Sequence, residues 1–310
     1  MNKRFASFAA LGLSSVLMLT ACGDDGGNGL ADGPEEEEGA GGGEINIALI
    51  PWEEDIAATN MWKVLLEEKG YDVTVTDLDV APVFQGAANG DVDLFLDTWL
   101  PVTHADYWEE YGDQLEDLGA WYDNAKLTLA VPTYMEDVDS IEDLPDAAGD
   151  LDNRIVGIES GSGLVRVTRE EAMPGYGLDE DFELIESSTS AMLAELDSAY
   201  QEEEPIVVTL WRPHIAYSQY DLKDLEDPEG HMGDAETVHS IGREGFAEDF
   251  PEVAEWLGEF TMTDEELGDL EVMTLEEYED DPEEGARQWL SENPEFVERT
   301  LGEAAEGVEF

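Results

Sequence analysis

Short apolar runs of strand character alternate along this chain with stretches whose apolar positions recur at helical spacing. INIALI (45–50) leads into an amphipathic stretch over about 55–69, which Gly70 ends. YDVTVTDLDV (71–80), a short helix over about 83–88, DVDLFLD (91–97), an acidic helix over about 105–118 and the strand KLTLAVP (126–132) follow. A second cycle opens at Arg154 with RIVGIES, a glycine turn and a helix over about 165–173. FELIES, a helix over about 191–200 and PIVVTLW (205–211) complete it. From Phe246 onward the pattern is acidic and helical. Strands alternating with helices predict βαβ units and largely parallel pairing. Two such units with a helical tail predict two lobes around a cleft.

Three of the apolar runs end in the same way. INIALIPW, VDLFLDTWLP and PIVVTLWRP each deliver a tryptophan, Trp52, Trp99 and Trp211, with a proline one or two residues away. In open α/β sheets the carboxyl ends of strands face the ligand crevice. One indole at a strand end is as readily core as site. Three in a shared context point to a box for a cation, since aromatic cages bind quaternary ammonium groups at about 0.5–2 kcal/mol per face.

Charge narrows the partners. The chain has 310 residues, with 78 acidic against 13 basic and a formal net charge of −65. That excess argues against nucleic acid and anionic membrane surfaces. Eight tryptophans and continuing apolar runs argue against a disordered acidic protein. The remaining reading is a coat of Asp and Glu on a folded core, suited to a halophilic or salt-tolerant source. At molar salt the Debye length is roughly 3 Å, and self-repulsion is screened.

The first 21 residues read as a lipoprotein signal peptide. Lys3 and Arg4 precede the mostly apolar run Phe5–Leu19, too short to span a bilayer comfortably. Leu19-Thr20-Ala21-Cys22 looks like a lipobox, making the sole cysteine, Cys22, the expected lipid anchor and leaving no partner for an intrachain disulfide. Residues 22–43, rich in Gly and acid, read as a solvated tether.

The stretch GIESGSGLVRVTREEAM (157–173) places glycines between a strand and a helix, where backbone amides converge on an anion. It is neither a P-loop nor a dinucleotide fingerprint. Alone it reads as an ordinary strand–helix turn. Beside an aromatic cage it suits a zwitterion, with π faces for the cation and neutral donors for the carboxylate.

At this point the chain resembles the glycine betaine-binding proteins of osmoprotectant ABC importers, from about Ile45 to Glu266. The strings that carry the likeness are PWEEDIAATNMW, LEEKGYDVTVTDLDVAPVFQGAANGDVDLFLDTWLPVTH, GSGL, VVTLWRPH and LEDPEG. The resemblance implies an α/β, two-lobed periplasmic-binding-protein-like fold of type II. Each lobe is then a mostly parallel sheet flanked by helices, with the ligand in the inter-lobe cleft. Residues 44–131 and 240–310 would form one lobe and 132–239 the other. It further implies that Trp52, Trp99 and Trp211 are the cage and that His104, Gly163 and Leu164 hold the carboxylate. No cofactor, metal or catalysis is implied. The expected partners are a small zwitterion of the glycine betaine class and the membrane permease of an importer. The protein would be an extracytoplasmic monomer tied to the membrane by its lipid alone.

Trp62, Trp108, Trp256 and Trp289 fall on helical stretches and read as packing residues. Trp121 and Tyr122 read as packing beneath the cleft, and His214 as a residue that orients the Trp211 loop. A secreted enzyme is the rival class, but HExxH and GxSxG are absent. His104, His214, His231 and His239 lack metal-ligand spacing. A sensory or adhesive surface protein would share the lipobox without needing a zwitterion pocket. Glycine betaine, proline betaine, dimethylsulfoniopropionate, carnitine and choline stay unseparated at this level.

Overall fold

A computed structural model describes residues 42–310 of the chain. The expected signal segment, Cys22 and all but the end of the expected tether lie outside the described residues.

The first βαβ unit follows its sequence pattern closely. Strand β1 (Gly42–Leu49) runs into helix α1 (Glu53–Glu68), β2 (Tyr71–Asp77), α2 (Val80–Asn89) and β3 (Leu94–Leu100). Both β2 and β3 pair with β1 in parallel. Gly90 closes α2 with a left-handed φ of 77°, a conformation that costs glycine little. Helix α1 buries Ala57, Met61, Trp62, Val64 and Leu65, so more than one face is covered. It lies between the sheet and the C-terminal helices Asp264–Val272 and Pro282–Glu292. Trp62 packs edge-on against Phe260 at 5.3 Å, and Trp121 stacks on the same ring at 5.1 Å. Trp256 and Trp289 are buried as packing residues, against Tyr71 and Phe296 respectively, and Trp108 is partly buried against the core.

The largest departure from the sequence pattern follows α3 (Ala105–Tyr111). The expected helix to residue 118 stops early, and strand β4 occupies Leu115–Pro132. Its first part, from Leu115 to Ala125, pairs antiparallel with β9 (Glu236–Arg243), which also pairs antiparallel with β3. Its second part, from Lys126 on, pairs antiparallel with β7 (Val208–Arg212) and with β8 (Leu222–Asp224). Three register shifts in β4 lie between Asp117 and Ala125, immediately before the strand changes partners. Bulges of this kind bend a strand and increase its twist.

The second βαβ unit keeps the parallel pairing expected of it. β5 (Arg154–Val156) pairs in parallel with β6 (Glu183–Ile185) and with β7. Parallel pairing is therefore present in both halves, but β4 and β9 make the whole sheet mixed, in the order β2-β1-β3-β9-β4-β7-β5-β6. The antiparallel pairs join residues far apart in sequence, so local periodicity does not announce them. Among the described residues two segments connect the halves: β4 near Ala125, and the return from β8 to β9. The C-terminal helices pack on the first half. Among the described residues no helix is long and apolar enough to cross a membrane.

Candidate functional site

The ends of β1, β3 and β7 meet the glycine turn after β5 at one cavity. Its walls include Trp52, Trp99, Trp211, Gly163 and Leu164, five of the six pocket residues singled out from sequence. Glu54, Thr103, Leu127, Ile158 and Ser162 complete them.

Each indole is placed by its strand and then oriented by a carboxylate. Trp99 Nε1 donates to Asp97 Oδ1 at 2.7 Å, and Trp211 Nε1 donates to Glu54 Oε2 at 2.8 Å. Trp52 Nε1 reaches Glu159 Oε2 at 3.5 Å, a longer contact. With their N–H edges engaged, the rings keep π faces for the cavity. Trp52 and Trp211 are 6.4 Å apart and tilted by 60°. All three are nearly inaccessible to solvent, the condition under which cation–π attraction is strongest.

His104 is the sixth predicted residue; it lies outside the cavity wall, directly behind the indole of Trp52. It stacks on Trp52 at 5.9 Å with the planes 8° apart, and the Trp99 backbone N–H donates to its Nδ1 at 2.9 Å. A ring that accepts at Nδ1 is neutral and carries its hydrogen on Nε2, and Nε2 has no partner among the described residues. Burial, with the charge of Arg166 adding to it, lowers the His104 pKa to about 3. The turn that carries His104 is clasped from β9. Glu236 Oε2 accepts the backbone N–H of Val102 at 2.6 Å and of Thr103 at 2.9 Å, and Oε1 accepts the Thr103 hydroxyl.

The opposite wall is built from backbone. Ser162 caps helix Gly163–Val167, its Oγ accepting the Val165 N–H. The amides of Gly163 and Leu164 fall in the first turn, where no intrahelical acceptor exists. Gly163 is required sterically: a Cβ there would lie 1.9 Å from the Thr103 carbonyl oxygen. This close approach joins the His104 turn to the glycine turn. Arg166 donating to the Val102 carbonyl at 2.7 Å and Tyr107 Oη donating to the Gly161 carbonyl at 2.9 Å strengthen the same seam.

Sequence reasoning missed the acids that hold the Trp99 and Trp211 indoles. Glu54 and Asp97 are buried, and burial raises both pKa values: Asp97 to about 7, and Glu54 well above the usual range with the charge of Asp97 adding to it. A signal did exist. Asp97 interrupts the mostly apolar run LFLDTWL, buried from Leu94 to Trp99, and Glu54 lies in the same PWEED string as Trp52. His214, read as orienting the Trp211 loop, packs edge-on against Trp211 at 4.4 Å, with its Nε2 3.2 Å from Glu53. Among the described residues no cluster of three or more His, Cys, Asp or Glu side chains has metal-binding geometry.

Known proteins resemble this chain along most of its length. Residues 43–292 match the family model for the substrate-binding domain of ABC-type glycine betaine transport systems. The chain is 39% identical over 153 residues to the glycine betaine/carnitine transport binding protein GbuC of Listeria monocytogenes. That match spans 49% of this chain and 50% of the relative, so the chain covers half of that relative's length. Among solved structures, the glycine betaine/L-proline-binding protein ProX of Borrelia burgdorferi superposes with a TM-score of 0.80 at 31% identity, covering 86% of this chain and 99% of that one. Lactococcal OpuAC, closed and complexed with glycine betaine, gives 0.77 at 33% identity, covering 83% and 99%. A choline-binding ABC-transporter protein in complex with choline gives 0.76 at 26% identity, covering 86% and 94%.

Proposed function

This chain belongs to the family of substrate-binding domains of ABC-type glycine betaine transport systems, and on that premise we propose that it is the extracytoplasmic receptor that captures glycine betaine for an importer. The single observation that carries the ligand class is the pairing of two chemistries in one cavity. Three indoles suit a positive group and the first-turn amides of Gly163 and Leu164 suit a negative one; the neutral His104 stands behind the indoles, off the cavity wall. No Lys or Arg lines the cavity, so a carboxylate is received by neutral donors that do not compete for the cation. Choline offers the same cation but only a hydroxyl at the other end, and it leaves the amide wall unmatched. In this reading the two halves of the sheet are lobes that hinge at β4 near Ala125 and at the segment before β9. Cys22 carries the lipid anchor, the released ligand passes to a permease, and the acidic coat adapts the monomer to high salt.

Calorimetric titration of the full mature chain with glycine betaine, choline and glycerol in molar salt tests the assignment. Saturable binding is expected for betaine, weaker binding for choline and none for glycerol. Equal affinity for betaine and choline would remove the carboxylate role of His104, Gly163 and Leu164.

A further inference from the structure

The carboxylates beneath the cage lack the counter-charge that buried acids normally require. Asp97 lies in the stretch of β3 where the register to β9 shifts, between Phe95 and Thr98. Its Oδ1 holds the Trp99 indole, and its Oδ2 is buried without a partner. Glu54 reaches the same region from α1, holds the Trp211 indole and lines the cavity itself. The groups facing this pair add no positive charge. From α1, Asp55 accepts the Ile50 N–H at 2.7 Å and the Thr59 hydroxyl at 3.0 Å. From helix Asp264–Val272, Glu271 presents a buried, unpartnered Oε1. From the turn after β3, His104 is neutral. None of the ion pairs among the described residues includes Glu54, Asp55, Asp97 or Glu271.

We propose that binding of a quaternary ammonium ligand releases a proton from the Glu54–Asp97 carboxylates, the ligand's cation replacing that proton as their counter-charge. The proposal rests on the cage being the cation site. The step is a simple dissociation: one carboxyl O–H bond breaks, its electron pair stays on oxygen, and the proton passes to the buffer. Asp97 is the positioning residue that ties the event to the cage, because the carboxylate that gains charge is the one that accepts the Trp99 N–H. A full negative charge on that acceptor strengthens the hydrogen bond and enriches the indole face that meets the cation. Burial already holds Asp97 at about 7, and burial together with the charge of Asp97 raises Glu54 as well.

Linkage gives the sign. A ligand that favours the ionised form binds more tightly as pH rises through the titration of the free site and levels off above it. Affinity for glycine betaine is therefore expected to rise about three- to tenfold between roughly pH 5.5 and 8. The experiment is calorimetry of the full mature chain with glycine betaine near pH 6.5, in buffers of different ionisation enthalpy. The observed enthalpy should change linearly with buffer enthalpy, with a slope corresponding to net proton release. Asp97→Asn keeps an oxygen for the Trp99 indole and removes the charge; it should bind more weakly, with the slope and the pH dependence diminished. Should that variant not fold, Glu54→Gln and the buffer series on the unsubstituted protein decide the matter. Betaine binding with a buffer-independent enthalpy overturns the coupling and leaves the receptor reading intact. Net proton uptake also overturns it, since uptake would place the event on His104. Failure to bind betaine at all overturns the receptor reading first.

Discussion

Asp97 and Glu109 belong to neighbouring elements, β3 and α3, and sit in opposite surroundings. Asp97 is sealed under an indole with one oxygen unpartnered, whereas Glu109 stands exposed on a helix that carries Glu110 beside it. The same contrast separates the floor of the cleft from the outer surface as a whole. On the surface, carboxylates are numerous, hydrated and individually weak, as exposed ion pairs are. In the cleft they are few, Glu54 and Asp97 each hold an indole N–H, and their state of charge is a property of the site. The difference teaches that a net charge of −65 describes the solubility of this protein and says little about how its ligand is held.

The largest expected effect tests whether the interior depends on close approach of the two halves. Gly163→Ala places a methyl group against the Thr103 carbonyl. Betaine affinity should fall by roughly a hundredfold, about 2.7 kcal/mol, within the cost of overpacking a tight site. Thermal stability without ligand should change far less, because the halves can separate. Titration calorimetry beside a thermal melt reads both, and an unchanged affinity would show that the seam does not govern binding.

Next come the indoles. Trp52→Ala, Trp99→Ala and Trp211→Ala should each weaken betaine at least about tenfold, since a desolvated π face near 2 kcal/mol exceeds the 1.4 kcal/mol that makes a decade. Phe or Tyr at the same positions should lose less. Unchanged affinity in two of the three alanine variants sinks the cage.

The third prediction separates buried titrations by their sign. His104 holds a proton below about pH 3 when folded against an ordinary value of 6.5. The unfolded chain thus binds more protons between these values, and stability from this group rises with pH across that window. Asp97 behaves inversely: folded near 7 against an ordinary 3.8, it makes stability fall with pH over that interval. The two slopes oppose each other from 3.8 to 6.5. Asp97→Asn removes one of them, so its stability relative to the parent should climb from about pH 4 to 7 and then level. Paired denaturant melts across pH check this; a difference independent of pH would show that Asp97 keeps an ordinary titration in the fold.

The smallest effects belong to the surface. Neutralising Glu109 and Glu110 together, as Glu109→Gln with Glu110→Gln, should change betaine affinity by less than about twofold. Raising salt should increase stability by screening the coat. Affinity for the neutral zwitterion should meanwhile stay nearly flat once the protein is folded. Melts and titrations over one salt series measure both. A betaine affinity that dropped by decades with salt would erase the distinction between interior and surface.

Much of this was legible before any fold was known, and for local reasons. Strand-to-helix alternation is written in apolar period, and a tryptophan at the end of an apolar run is carried to the crevice by the strand that holds it. That is why Trp52, Trp99 and Trp211 were recognisable from sequence, and why the glycines at 161 and 163 marked a strand–helix turn. The structure brings these pieces to one cavity. What only the tertiary structure decided depends on pairing across long stretches of chain. Residues 115–118 end an acidic stretch expected to be helical and become strand because β9, far along the chain, lies beside them. Glu236 can clasp the His104 turn only after β9 has been inserted next to β3. Glu54 and Asp97 carried only a faint signal, an acid inside the run LFLDTWL and one in the PWEED string, because composition makes carboxylates common everywhere and only the tertiary structure buries these two. Local periodicity determines which elements form and which side chains their ends present; the long-range pairs determine which of those side chains lose their water.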